Sequence, residues 1–490
     1  MPHRTRAGFS FSVFHALVAV TLAAFVLALL APRAPAAESP TAAARPPNIL
    51  LIVADQWRAQ AFGFAGDPNV RTPHLDRFER ESVHFTQAVS GTPVCSPMRA
   101  SLLTGQRPLT HGVFINDTPL NPASTTLATT LRAAGYDTGA IGKWHVDGHG
   151  RSNFIPRERR LGFDYWKVLE CTHAYNNSAY YADGPEKLKW DGYDALAQTR
   201  DAQSFLDKRT PADRPFLLYL AWGPPHNPYE TAPAKYRAMY EPEKIQLRPN
   251  VPAELAAATR RDLAGYYAHC TALDDLFADL LATLAARGLA DNTIIVFTAD
   301  HGDMLGSHAM QRKQKPYEES ARVPMLFRVP AALGVKPLRS AATINTEDLM
   351  PTLLALCRVP IPASVEGADF GPALRGGADP AGGVALVQCP APFGEFTRAI
   401  GGREYRAVRT ARHTFARDLD GPWLLFDNET DPYQLNNLVG KPEHAVLQAQ
   451  LDAQLAKKLK ANRDEFRPAA EYIAKWGYKV TATGTMPYTN

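Results

Sequence analysis

Four short, unbroken apolar runs punctuate the chain: residues 48–54 (NILLIVA), 215–222 (PFLLYLAW), 292–299 (NTIIVFTA) and 323–329 (VPMLFRV). Runs of this length without polar alternation read as strands buried on both faces. Two of them end on an acid, Asp55 and Asp300. Between the runs, apolar positions recur at helical spacing: from Thr72-Pro73 through Phe78, and over 125–134, 255–286 and 346–357. Strands alternating with helices predict an α/β fold, a mostly parallel sheet flanked by helices. Ligands of such sheets gather beyond the carboxyl ends of the strands, where Asp55 and Asp300 lie. A glycine-rich break at 375–383 interrupts the pattern. Beyond it come short strands at 405–410 and 423–426 and a helix from about 443 to 461. The predicted organisation is therefore a main domain over 46–375 and a smaller C-terminal α+β subdomain over 384–490, containing an antiparallel sheet.

The first residues do not belong to that pattern. Arg4 and Arg6 precede an uncharged stretch over 8–31, followed by the small residues Ala34-Pro35-Ala36. This is the order of a cleavable signal peptide over 1–36, and it predicts export to the periplasm or beyond; an uncleaved membrane anchor is the alternative. Cleavage would remove Arg4, Arg6 and Arg33 and no acid, taking the formal charge from +4 to about +1. A near-neutral mature chain argues against a nucleic-acid partner. After cleavage no stable membrane insertion is expected. Of the five cysteines, none falls in a zinc-like pair, and the four other than Cys95 allow two bridges or none.

Candidate chemistry concentrates at Cys95-Ser96-Pro97-Met98-Arg99-Ala100-Ser101-Leu102-Leu103-Thr104-Gly105. Pro97 suits the first turn of a helix. Helix-start amides and the Arg99 guanidinium would then place positive charge beside Cys95, an anion site with a sulfur atom in it. The run resembles the signature of the type I sulfatases, Cys-x-Pro-x-Arg followed by Leu-Thr-Gly. Residues 135–145 (GYDTGAIGKWH) are similar to that family's second signature, with Lys143 and His145 two apart at a strand end and on one face. Met98 departs from the small residue usual at its position.

The resemblance implies an alkaline-phosphatase-like fold and a sulfatase activity in which Cys95 is oxidised to formylglycine by a separate maturation enzyme. It further implies a divalent cation held by Asp55, Gln56, the residue at 95, Asp300 and His301. Gln56 stands where most members carry a second aspartate. Several protein ligands and little water suit calcium better than magnesium. Arg99, Lys143 and His145 are implied to hold the formylglycine hydroxyls, with His145 as base. His226, in Pro224-Pro225-His226-Asn227-Pro228, is implied to protonate the leaving oxygen. Lys313, four residues before Tyr317-Glu318-Glu319, is implied to bind sulfate, leaving Lys315 as a surface charge.

The segment 166–177 (WKVLECTHAYNN) mixes rings and amides suited to a saccharide, and His173, Asn176 and Asn177 are its candidate contacts. The basic run 151–160 (RSNFIPRERR) is either a polyanion-binding face or a solvated one. The expected substrate is a sulfated saccharide. Two readings stay open beside it: a phosphonate monoester or phosphodiester hydrolase of the same superfamily, and a sulfated-glycan binding protein without turnover if Cys95 is unmodified.

Overall fold

The computed structural model describes residues 1–3 and 45–488. Among them the strands, in chain order, are β1 (Asn48–Asp55), β2 (Val83–Phe85), β3 (Asp137–Lys143), β4 (Tyr165–Leu169), β5 (Ala179–Tyr180), β6 (Leu188–Lys189), β7 (Phe216–Pro225), β8 (Thr293–Ala299), β9 (Met325–Arg328), β10 (Leu338–Ser340), β11 (Ala385–Cys389), β12 (Tyr405–Arg409), β13 (His413–Asp418) and β14 (Gly421–Asp427). The chain divides into residues 1–45 and 46–490. The expected signal segment over 1–36 lies, apart from residues 1–3, outside the described residues. Among the described residues no helix is long and apolar enough to cross a membrane.

The main sheet has the order β10-β2-β9-β8-β1-β7-β3-β4. Seven strands run one way, and β9 is antiparallel to both β8 and β2. Every residue of β1, β7 and β8 is buried, which is why these segments read as unbroken apolar runs. The long helix Ala256–Ala286 and the helix Asp194–Asp207 pack together against β7, and Asp194–Asp207 also reaches β3. A second group, Cys95–Thr104, Leu127–Ala133 and Leu349–Leu356, packs among itself.

The second sheet, β11-β12-β13-β14, is antiparallel throughout. Its alternating side chains serve two cores. Leu386, Val408, Phe415 and Leu425 meet Leu451 and Leu455 of the helix Ala445–Ala461. Val387, Tyr405, Ala407 and Phe426 meet Met304, Tyr317 and Ala321 from the main part. This period-two division is what fixes the sheet's register against both neighbours.

The register of the main sheet places the site. Ala54 of β1 pairs with Ala299 of β8, so Asp55 and Asp300 leave the sheet side by side. Gln56 follows with φ 69°, turning the chain sharply, and Tyr266 of the long helix holds the turn by donating to the Gln56 carbonyl at 2.9 Å. On the other side of β7, Gly142 has φ 98°, and a Cβ there would lie 2.1 Å from the Ala221 carbonyl oxygen. Gly142→Ala should therefore lower stability by about 2 kcal/mol or more. Chemical denaturation checks the value, and an unchanged midpoint would contradict this geometry.

Candidate active site

Cys95 opens the helix Cys95–Thr104, all of whose residues are buried. Val94, the residue before it, offers no side-chain cap, so the free amide of Ser96 donates instead to Asn116 Oδ1 at 3.0 Å. The helix start thereby points Cys95 at the edge where β1 and β8 end. Its Sγ lies 3.3 Å from His301 Nε2 and 3.8 Å from Asp55 Oδ1. His301 Nε2 is also 3.6 Å from Asp55 Oδ1 and 3.5 Å from Asp300 Oδ1. The other ring nitrogen, Nδ1, bonds the Gly302 carbonyl at 2.8 Å, which leaves Nε2 as the atom facing the cluster. Asp55, Cys95, Asp300 and His301 are all buried, with ligand atoms within 4.8 Å of one another. Two carboxylates, an imidazole and a sulfur in that space could hold a metal ion.

Cations ring this cluster. Arg99 Nη2 lies 2.9 Å from Asp300 Oδ2 and 3.4 Å from Asp55 Oδ2, with all three side chains fully buried. Its Nη1 donates to the Lys143 carbonyl and to Tyr219, both at 3.2 Å. The Arg99 donors are thus directed at the carboxylates and the end of β3, so it bears on position 95 through them. Lys143 pairs with Asp55 and reaches Cys95 Sγ at 3.7 Å. Lys313 Nζ is 3.4 Å from Sγ, 3.2 Å from Gln56 Oε1 and 2.8 Å from His226 Nε2. Gln56 Nε2 donates to Asp303 Oδ2 at 2.6 Å, and this bond turns the amide oxygen towards Lys313.

The charges set the protonation states. Burial alone would raise the Asp55 carboxyl, but Lys143, Arg99 and Lys313 hold it well below the usual carboxylate range. Burial and Asp55 would likewise raise the Cys95 thiol, yet Lys143, Lys313 and His301 bring it well below its ordinary value. Asp300 is raised by burial and by Asp55. Burial and Lys313 push His226 well down, and its Nδ1 bonds the Asn227 carbonyl at 2.8 Å. Nε2 is then a neutral acceptor for the Lys313 ammonium. Burial would also lower His145, but Cys171 and the bond to Asp117 bring it up to about 10. The site is a buried, cation-ringed cluster that could hold a metal ion, with a sulfur atom at position 95.

The structure brings Asp55, Gln56, Cys95, Arg99, Lys143, His226, Asp300, His301 and Lys313 into this one cluster. His145 differs from its expected geometry: β3 ends at Lys143, and His145 has φ 62°, so the two do not share a strand face. Lys315 is a correction. It is buried, donates to the Gln311 carbonyl at 2.7 Å, and burial lowers it to about 8, so it is no surface charge. All five cysteines are buried and free, including the four that the spacing left open to bridges.

Of the saccharide candidates, only His173 reaches the cluster, its ring stacked on His226 with centroids 4.5 Å apart. Asn176 and Asn177 are exposed, and Asn176 Nδ2 is bonded to the Thr231 carbonyl at 2.9 Å. The arginines of the run 151–160 are paired with acids outside it: Arg151 with Asp117, Arg157 with Asp164, Arg159 with Asp147 and Arg160 with Asp183. That pairing is not the open cationic face its composition allowed. Sequence reasoning missed Asp117, which faces His145, and left Asp303 of the Asp-His-Gly-Asp run without a role. Asp303 follows the expected ligands Asp300 and His301 by a few residues; nothing in the local sequence marked Asp117.

The sulfatase family profile matches residues 47–359, and a profile of N-sulphoglucosamine sulphohydrolase C-terminal regions matches residues 306–461. An ulvan-active sulfatase of Formosa agariphila is 47% identical over 435 residues, covering 88% of this chain and 84% of that protein. A structure from Bacteroides thetaiotaomicron, determined for its metabolism of multiple glycosaminoglycans, superposes with a TM-score of 0.78 at 28% identity and covers 88% and 99% of the two chains. Another, solved with its substrate D-glucosamine-2-N,6-O-disulfate, gives 0.73 at 25% identity, with 87% and 99% covered.

Proposed function

We propose, from the premise that this chain belongs to the sulfatase family and is a sulfuric ester hydrolase, that it removes sulfate from a sulfated polysaccharide outside the cytoplasm. We read Cys95 as the precursor of formylglycine, made by a separate maturation enzyme, and the cluster around it as a calcium site. The observation that carries this is the convergence of Cys95, Asp55, Asp300 and His301 within one buried, cation-ringed pocket. The ulvan-active relative and the bound glucosamine disulfate of a structural neighbour support a sulfated saccharide as the substrate class. Residues 46–375 would form the catalytic part and 384–490 a C-terminal subdomain.

Asp55, Gln56 through Oε1, Asp300, His301 and the residue at 95 would hold the cation; oxygen donors predominate, as calcium requires. When present, formylglycine and the ion supply an oxygen nucleophile and a Lewis acid for the sulfate ester. The chain's own groups do the rest. Lys143 and Lys313, within reach of position 95, bind sulfate oxygens and offset the charge that develops on them. Arg99 keeps both carboxylates ionised and aimed. With Nδ1 of His226 held by the Asn227 carbonyl, Nε2 is the nitrogen that carries a proton to the leaving oxygen. Because Lys313 keeps that ring neutral, the proton arrives when the anionic substrate offsets the lysine charge. His145, raised to about 10, rests as the cation and would act as base toward position 95 only once it has given up that proton.

Matured enzyme assayed on a panel of defined sulfated saccharides, an aryl sulfate and an aryl phosphodiester tests this reading. Sulfate release should exceed phosphodiester cleavage. Chelation with EDTA should lower turnover by about 100-fold or more, and calcium should restore it better than magnesium. Faster phosphodiester cleavage, or full activity after chelation, would refute the proposal.

A further inference from the structure

His145 is held from a direction that the reaction itself does not explain. Its Nε2 lies 3.2 Å from Asp117 Oδ1, while its Nδ1 is buried with no hydrogen-bond partner. Asp117 is 4% exposed, and both its oxygens are taken by Arg151 in a two-point clamp, Nε at 2.9 Å and Nη2 at 2.8 Å. Tyr488 covers the outer side of that guanidinium, its ring centroid 3.7 Å from Arg151 Cζ. The backbone of Asp117 is tied as well: its N–H donates to Ser96 Oγ at 3.2 Å, and the neighbouring Asn116 accepts from the Ser96 amide at 3.0 Å. Asp117 and His145 both have positive φ, 63° and 62°. Two non-glycine residues in that region, facing one another, persist only where the surroundings over-determine them.

One short loop is therefore fastened to the residue after Cys95 and to His145 together. An acceptor on Nε2 holds a proton there and leaves the unpartnered Nδ1 as the nitrogen free to exchange one, as a carboxylate does for a catalytic imidazole. We propose that Asp117, clamped by Arg151 and capped by Tyr488, is a positioning residue that fixes the direction of the His145 ring and which of its nitrogens exchanges a proton. This rests on the reading of His145 as a group that acts at position 95.

The test is a double-substitution cycle on matured enzyme, read as kcat and KM on one sulfate ester. Wild-type turnover comes first; its absence would count against the proposed function rather than against Asp117. Asp117→Leu, which removes the acceptor, should lower kcat about 100-fold with KM changed less than about 3-fold. Asp117→Asn keeps an acceptor for Nε2 and should recover at least about a tenth of wild-type kcat. In a His145→Ala background, Asp117→Leu should have no further effect, because both changes remove one function. Should Asp117→Leu fail to fold, Arg151→Gln takes its place in the cycle with about a tenfold loss expected alone and none beside His145→Ala. Additive losses, an asparagine as damaging as the leucine, or a loss confined to KM would each overturn the proposal.

Discussion

Cys95→Ser is expected to turn over sulfate esters no more than once per active site, a loss in steady-state rate of about 1,000-fold or more. A serine at the head of this helix would keep the pocket: Lys143, Lys313 and His301 all lie within 3.7 Å of Sγ, and none depends on sulfur for its position. It could accept a sulfuryl group, but a single hydroxyl leaves no second oxygen whose ionisation expels sulfate. The hydrated aldehyde proposed at this position has two. The expected signature is a burst of at most one product per enzyme, with the mass of the sulfate group retained on the peptide containing residue 95. Cys95→Ala should show neither burst nor retained mass. In the wild-type chain, the same peptide should be lighter than its cysteine form. Sustained turnover by the serine variant would sink the assignment of position 95.

Arg99→Met should be the most destabilising single change in the site, by about 3–5 kcal/mol without a cation. Arg99 is fully buried between Asp55 and Asp300, donating to both. Removing it leaves two buried carboxylates side by side, with Lys143 still paired to Asp55 and the His301 ring beside both. The sign with pH follows. Asp300 is already raised by burial and by Asp55, and loss of Arg99 raises it further. A carboxyl raised in the folded state costs stability above its folded pKa, so the penalty should be greatest at neutral and alkaline pH and shrink as the pH falls through that value. Calcium should reduce it too, by supplying the charge that the guanidinium provided. Urea denaturation with and without calcium, at two pH values, measures both effects; equal stability of variant and wild type in EDTA would contradict them.

The readings that held came from signals confined to a few consecutive residues. Runs such as 48–54 and 292–299 are buried on both faces because helices cover the sheet, so their composition alone gave strand, depth and the acids at their ends. The motif around Cys95 gave the helix start because the position of Pro97 in the first turn is local. Lys315 was misplaced because distant residues cover it, among them Phe396, whose ring centroid lies 5.1 Å from the ammonium. The basic run 151–160 was ambiguous for the same reason, since its partners Asp117, Asp147 and Asp183 are remote or lie on other turns.

The sequence by itself determined the α/β class and the sulfatase signatures with the cysteine, carboxylate and cationic side chains they carry, since each is written in side-chain type at short spacing. Only the tertiary structure decided which groups meet. The register of β1 on β8 brought Asp55 to Asp300 across 245 positions, and the left-handed turns at Asp117 and His145 aimed one at the other. Such contacts are fixed by packing and hydrogen bonding between distant segments, which no local pattern encodes.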